Sequence, residues 1–150
     1  MTSQIEPLVN PAGSDPWIPS GAYNAQHYIN YGTLSIKGPF GNFVAGVIDN
    51  YGSINSYSGI TFKNSGLINN SVTGGTINNN PGSTLYNDDG AIIDNSKNSQ
   101  GANGFINNGT YTGYGTIKGS WTDHGTVKPG SSAGGMLIDG NYYKKGGLKK

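Results

Sequence analysis

The sequence predicts an all-β fold, a β-solenoid of about 7–8 short coils. The first observation is composition: 33% of the 150 residues are hydrophobic and 11% are charged, too few for a thick globular core. The second is a short repeat that runs through the middle of the chain, and the third is that no segment keeps a helical period over three turns. A net charge of +1 together with ten Tyr, four Phe and two Trp argues against simple disorder.

The N-terminal segment, residues 1–28, is predicted to be a proline-rich arm or cap. Four of the seven prolines lie there, at Pro7, Pro11, Pro16 and Pro19. Because proline cannot donate to a β-ladder, this segment suits a cover over the open edge of the first coil.

Residues 29–143 carry the repeat, in which an apolar residue is followed two places later by Asn. The five clearest units are Ile48-Asp-Asn50, Phe62-Lys-Asn64, Ile77-Asn-Asn79, Ile93-Asp-Asn95 and Ile106-Asn-Asn108. This alternation predicts short strands with the apolar residue and the Asn inside and the middle residue in solvent. The aligned asparagines are 13 to 16 residues apart. A coil of that length is short, so a turn with two shorter strand units, or coils of alternating size, are open alternatives.

The aligned asparagines are expected to form a structural ladder at an inner corner of the solenoid. Coils stack about 4.8 Å apart, so equivalent amide side chains can hydrogen-bond from one coil to the next. The predicted ladder residues are Asn50, Asn64, Asn79, Asn95 and Asn108.

A cluster of tyrosines in the early coils supplies candidate contact residues. Exposed aromatic rings can stack on sugar rings or on a partner chain, whereas rings that cover the edges of a thin core make no such contact, and both interpretations are open. The residues are Tyr23, Tyr28, Tyr31, Tyr51 and Tyr57. The insertion at residues 38–43 is predicted to project from the rod.

No arrangement in the sequence indicates a catalytic residue, a cofactor or a metal site. Asp49 and Asp94 share a column but would lie three coils apart, roughly 14 Å, whereas the paired carboxylates of glycosidases are roughly 5–9.5 Å apart. His27 and His124 are interpreted as lone surface residues. The segment 87–90 lacks the alternating acidic positions of a calcium loop. We therefore expect a protein that is not an enzyme.

Charge and hydropathy exclude two further classes of partner. The chain has no Arg, and it lacks the basic surface that nucleic-acid binding requires. No apolar run approaches 18 residues, and residues 1–6 show no Sec signal, so we expect no membrane span. Residues 144–150 form a basic tail with four of the nine lysines. This end of the chain is compatible both with a protein that is short in nature and with a fragment of a longer one.

The segment at residues 125–142 resembles the closing segment of secreted bacterial β-helix proteins, including autotransporter-like passengers and related cyanobacterial surface proteins. Its most specific parts are Pro129-Gly130-Ser-Ser and Leu137-Ile138-Asp-Gly140. The resemblance extends over about residues 29–143, where these families carry Asn-Gly-Thr-Ile repeats. It implies a right-handed parallel β-helix outside the cell, serving as stalk, adhesin or matrix component without a catalytic site.

These observations together predict a non-enzymatic structural or adhesive solenoid of an extracellular surface or fibre. The expected partners are further copies of the chain, stacked head-to-tail into filaments, and surface glycans. The expected location is extracellular or at the cell surface, with a virion surface as the variant that needs no Sec signal. The alternative from another class is a polysaccharide-binding or polysaccharide-cleaving β-helix such as a tailspike fragment of a phage.

Overall fold

A computed structural model describes residues 3–70, 75–130 and 135–145 of the chain. These residues form parallel sheets stacked as a β-solenoid of about six turns, and the only helix among them is one 3-10 turn at Gly101–Gly104. The all-β solenoid predicted from the sequence is confirmed, with fewer turns than the 7–8 expected. Residues 131–134 of the closing segment and 146–150 of the basic tail lie outside the described residues.

Three parallel sheets run along the axis, and each turn adds one strand to each of them. Sheet A contains β2 (Ala22–Asn24), β5 (Phe40–Asn42), β8 (Thr61–Asn64), β11 (Thr84–Asn87), β14 (Thr110–Gly113) and β17 (Thr126–Pro129). Sheet B contains β1 (Val9–Asn10), β3 (His27–Asn30), β6 (Val47–Asn50), β9 (Leu67–Asn69), β12 (Ile92–Asp94), β15 (Thr116–Lys118) and β18 (Leu137–Asp139). Sheet C contains β4 (Thr33–Ile36), β7 (Ser53–Ser56), β10 (Thr76–Asn79), β13 (Phe105–Asn107), β16 (Trp121–Asp123) and β19 (Tyr142–Lys144).

The strands alternate between the inside and the outside of the tube, as their period-two sequence pattern requires. In β6, for example, Ile48 and Asn50 are buried while Val47 and Asp49 are half-buried on the outer face. The inner side chains form one narrow apolar core along the axis, and in the middle turns it consists of Ile48, Ile54, Phe62, Ile68, Ile77, Leu85 and Ile93. A small apolar fraction is enough because each turn contributes only about three core side chains.

The predicted coil length is wrong because a turn contains three strands. Residues in register on neighbouring turns are 16 to 28 positions apart, as between Asn107 and Asp123 and between Asn79 and Asn107. The 13-to-16-residue spacing found in the sequence instead advances by two strands, so Asn50, Asn64 and Asn79 end strands of sheets B, A and C in turn.

Strands β1 and β2 and the first half of β3 lie before residue 29, within the segment that the sequence analysis assigns to the N-terminal arm or cap. Val9 pairs with Ile29 in sheet B, and Ser35 of β4, the edge strand of sheet C, donates to Asp15 at 2.9 Å. The proline-rich segment therefore forms a first, irregular turn of the solenoid.

Glycine is required at the corners where the backbones of neighbouring turns meet. Gly66 shows why: a Cβ there would lie on the carbonyl oxygens of Gly46 and Phe43 in the turn before. Its conformation is ordinary, so close approach of the backbones, not a positive φ, demands glycine here.

Candidate functional site

Buried polar side chains form three ladders, one at the C-terminal ends of the strands in each sheet. Ladder A contains Asn24, Asn42, Asn64 and Asn87; ladder B contains Asn10, Asn30, Asn50, Asn70 and Asn95; ladder C contains Ser56, Asn79, Asn107 and Asp123. All of these side chains are buried. The single ladder expected from the sequence is therefore distributed over three corners.

Asn50 shows how an amide fits the ladder. It accepts a hydrogen bond from Asn30 Nδ2 at 2.7 Å, and its own Nδ2 donates to Asn70 Oδ1 at 2.8 Å. The second Nδ2 hydrogen is donated to the carbonyl oxygen of Thr76 at 2.8 Å. Both donors and the carbonyl oxygen are thus satisfied, so the amide can be buried without a desolvation penalty.

Four of the five predicted ladder residues are ladder members, and Asn108 is not. Asn79 Nδ2 donates to Asn107 Oδ1 at 2.7 Å, and Asn108 is half-buried at the outer corner. The apolar residue that points inward in this strand is Phe105 and not Ile106. The motif is an apolar residue followed two places later by Asn. Phe105 with Asn107 and Ile106 with Asn108 both satisfy it, so the motif does not distinguish the two registers.

Ladder C ends in a carboxylate that the sequence reasoning missed. Asp123 Oδ1 accepts from Asn107 Nδ2 at 2.7 Å, and Oδ2 accepts from Tyr142 OH and Lys144 Nζ, both at 2.8 Å. Burial alone would raise the pKa of Asp123, but the hydrogen bonds from Lys144, Tyr142, Asn107 and the Gly125 amide outweigh it and lower that pKa. The carboxylate therefore stays ionised and is a structural end of the ladder.

The prediction of Tyr28 as a contact aromatic is wrong, because its ring points into the core. It is 2% exposed, and burial raises the pKa of its hydroxyl to about 12. Tyr31 and Tyr51 are exposed and stack with ring centroids 4.9 Å apart. Tyr57 is also exposed, with Lys37 Nζ 5.7 Å from its ring centroid.

Tyr23 belongs to an aromatic platform that includes a residue the sequence reasoning did not single out. Its ring is parallel to that of Phe43 within 4°, with centroids 4.6 Å apart. Phe43 occupies the space over Gly41, whose missing side chain leaves room for the ring. Phe43 is 47% exposed and borders an open groove of about 430 Å³ that Val44, Ala45 and Lys63 also line.

The carboxylates on the outer face of sheet B are closer together than expected, but the space between them is filled. Asp49 and Asp94 lie two turns apart, and Asn69 lies between them in register. Asn69 Nδ2 donates to Asp49 Oδ1 at 3.0 Å, while His27 Nε2 is 2.6 Å from Asp49 Oδ2. His27 is therefore paired, which the sequence reasoning did not foresee.

Comparison of the chain with protein-family models, curated proteins and solved structures finds no match. Within the described residues, no group of three or more His, Asp or Glu side chains is placed to hold a metal ion. In the same residues, no helix has the length and apolar character needed to cross a membrane.

Proposed function

We propose that the chain is a non-enzymatic structural and adhesive solenoid module of an extracellular surface or fibre. The observation that carries the proposal is the set of three buried ladders, which join successive turns at three corners of the tube. Such a rod resists bending because the hydrogen bonds of its sheets and of its ladders all join one turn to the next. The resemblance of residues 125–142 to secreted β-helix proteins supports the extracellular location.

Electron microscopy of the purified chain, together with a turnover assay, tests this proposal. We expect uniform rods and no release of reducing ends from a panel of polysaccharides. Globular particles without a long axis, or turnover that survives repurification, would contradict it. Head-to-tail filaments stay a prediction, and the same images would reveal them.

A second candidate function is glycan binding, and the Tyr23–Phe43 platform favours it. A flat, partly exposed aromatic pair beside a groove can stack on the apolar face of a sugar ring, while Lys63 at the rim can hydrogen-bond to hydroxyls. A glycan array with the wild type, Phe43→Ala and the control Tyr57→Ala tests it. Binding that only Phe43→Ala abolishes supports the site, whereas no binding, or equal loss in both variants, contradicts it.

A further inference from the structure

The aromatic platform of Tyr23 and Phe43 stands upright on the outer face of sheet A. Tyr23 is in register with Gly41, and Gly41 is in register with Lys63 of the following turn. The Phe43 ring covers Gly41, and its centroid lies 4.6 Å from that of Tyr23, close to the spacing of about 4.8 Å between turns. The two rings are therefore stacked along the rod axis. One face of Phe43 covers Tyr23, and the other is directed toward the turn that contains Lys63.

Two grooves lie beside Phe43, and Gly41 and Lys63 line both of them. The first, of about 430 Å³, extends to Ser65 at the corner that follows the strands. The second, of about 290 Å³, extends to Thr61 at the start of β8. Thr61 and Ser65 are about 13 Å apart along the strand direction. The two grooves thus form one track across the rod, parallel to the strands, with Gly41 at its base.

Lys63 closes the path along the rod axis. Its Nζ lies 5.6 Å from the ring centroid of Tyr86, which is in register with it on the following turn, and 3.5 Å from Asp88 Oδ2. The Lys63 side chain therefore leans away from Phe43, which leaves the groove open, and it covers the Tyr86 ring. A long ligand that contacts Phe43 is thus expected to lie across the rod and not along it.

The track carries polar groups without a net charge. Thr61, Lys63 and Ser65 provide two hydroxyls and one ammonium group along it. Lys63 is the only charged residue among the described residues that line the two grooves, and the Asp88 carboxylate compensates its charge. Ser65 Oγ donates to the same carboxylate at 3.1 Å, which fixes Asp88 at this rim.

We propose that this track binds a neutral oligosaccharide, an inference that rests on the glycan-binding function proposed above and names its ligand class. The apolar face of one sugar ring covers the free face of Phe43, and sugar hydroxyls hydrogen-bond to Thr61, Lys63 and Ser65. An acidic glycan is disfavoured because Asp88 already neutralises Lys63 and repels a further carboxylate or sulfate group.

An extended peptide is a less favourable occupant of the same track. Strands β5 and β8 each pair with a strand on both sides, so their backbone N–H and C=O groups are already used. A peptide therefore cannot add a strand to this face, which is the usual way in which a sheet binds an extended chain. The groups that stay available are side-chain hydroxyls and an ammonium group, which match sugar hydroxyls.

A glycan array that carries neutral oligosaccharides beside uronate and sulfated ones tests the ligand class. We expect binding to neutral oligosaccharides that high salt leaves unchanged, because no net charge is involved. Phe43→Ala should weaken it at least about tenfold, and the control Tyr57→Ala should not. Binding of acidic glycans alone, lost in Phe43→Ala, would overturn the neutral class while glycan binding stands. An array without any bound glycan would contradict the glycan-binding function and this inference with it.

Asp88→Asn tests the compensating charge directly. The substitution keeps an acceptor for Ser65 but removes the negative charge, so that Lys63 can pair with a carboxylate of the ligand. We expect binding of hexagalacturonate to rise about threefold in calorimetric titrations. Asp89→Asn makes the same charge change at an exposed neighbour and should have no effect. An equal rise in both variants, or none in Asp88→Asn, would overturn the role of Asp88 in excluding acidic glycans.

Substitutions at the two ends of the track test its direction. Ala45→Leu and Thr61→Leu add bulk at opposite ends, and each should weaken binding of the neutral oligosaccharide at least about tenfold. Thr112→Leu, two turns after Lys63 in the same outer column, should leave binding unchanged. Loss of binding in Thr112→Leu but in neither end variant would show that the ligand lies along the axis and overturn the proposed track. Circular dichroism verifies that each variant is folded.

Discussion

Replacing one buried ladder amide tests how the turns are held together, and Asn50→Ala is the sharpest such change. The substitution removes three hydrogen bonds, one from Asn30 and two to Asn70 and Thr76. Asn30 keeps its second donor bond to the carbonyl oxygen of Ser53 at 3.0 Å. Asn70 Oδ1 and the Thr76 carbonyl each lose a donor inside the tube.

The expected cost follows from these losses. A net hydrogen bond contributes about 1 kcal/mol, and an acceptor left unsatisfied in the interior costs about 1–3 kcal/mol. We therefore expect Asn50→Ala to lower the free energy of unfolding by about 3–5 kcal/mol. For a chain of this size that corresponds to a melting temperature lower by about 10 °C. Urea unfolding followed by circular dichroism measures the free energy change.

Asn55→Ala is the matched control. Asn55 also accepts a hydrogen bond from an asparagine, Asn78 Nδ2 at 2.9 Å, but on the half-exposed outer face of sheet C. Water replaces the lost bond there, so the expected cost is below about 0.5 kcal/mol. Equal costs for Asn50→Ala and Asn55→Ala would refute the argument that buried ladders stabilise the solenoid.

Three further changes probe other parts of the fold. Gly66→Ala should lower the free energy of unfolding by about 2–4 kcal/mol, because the added Cβ would meet backbone atoms of the preceding turn. Gly135→Ala, whose Cβ would meet nothing within 4 Å, should leave stability unchanged, and thermal melts compare the two variants. Because the pKa of Asp123 is lowered in the folded state, its stabilisation is present above pH 3.8 and is lost as the pH falls through the folded pKa. The stability difference between wild type and Asp123→Asn should therefore shrink below pH 3.8 in acid titrations, and a constant difference would contradict the role of Lys144. Thr122→Val should raise stability by about 1 kcal/mol in urea unfolding, since the buried Thr122 hydroxyl has no hydrogen-bond partner among the described residues.

The sequence alone predicts the solenoid and four of the eleven ladder asparagines, because both depend on local alternation. Ile48 and Asn50 point inward as that alternation requires. The number of strands per turn is not local, since it depends on how far the corners bend the chain. In the sequence, a repeat that advances by two strands therefore cannot be distinguished from one that advances by a full turn.

A stricter motif would have found the right register at the fifth unit. Asn30, Asn50, Asn64 and Asn107 each precede a glycine by two positions, because the corner after the ladder residue passes close to the turn before. Asn-x-Gly identifies Asn107, whereas an apolar residue two places before Asn does not distinguish it from Asn108.

Contacts between turns could not be predicted from the sequence. The Tyr23–Phe43 stack, the His27–Asp49 pair and the Asp123–Lys144 pair each join residues that are about 20 positions apart. Their partners depend on turn lengths that vary from 16 to 28 residues. Tyr28 shows the same limit, since only its place in β3 reveals that it points inward.

Hydrogen exchange of the asparagine side-chain amides, followed by NMR on the 15N-labelled chain, tests the central claim most directly. The ladders predict that the Nδ2 protons of Asn30, Asn50 and Asn64 exchange as slowly as core backbone amides and show contacts with the amide of the next turn. Asn78 on the outer face should exchange far faster. Ladder amides that exchange as fast as Asn78 would contradict the account.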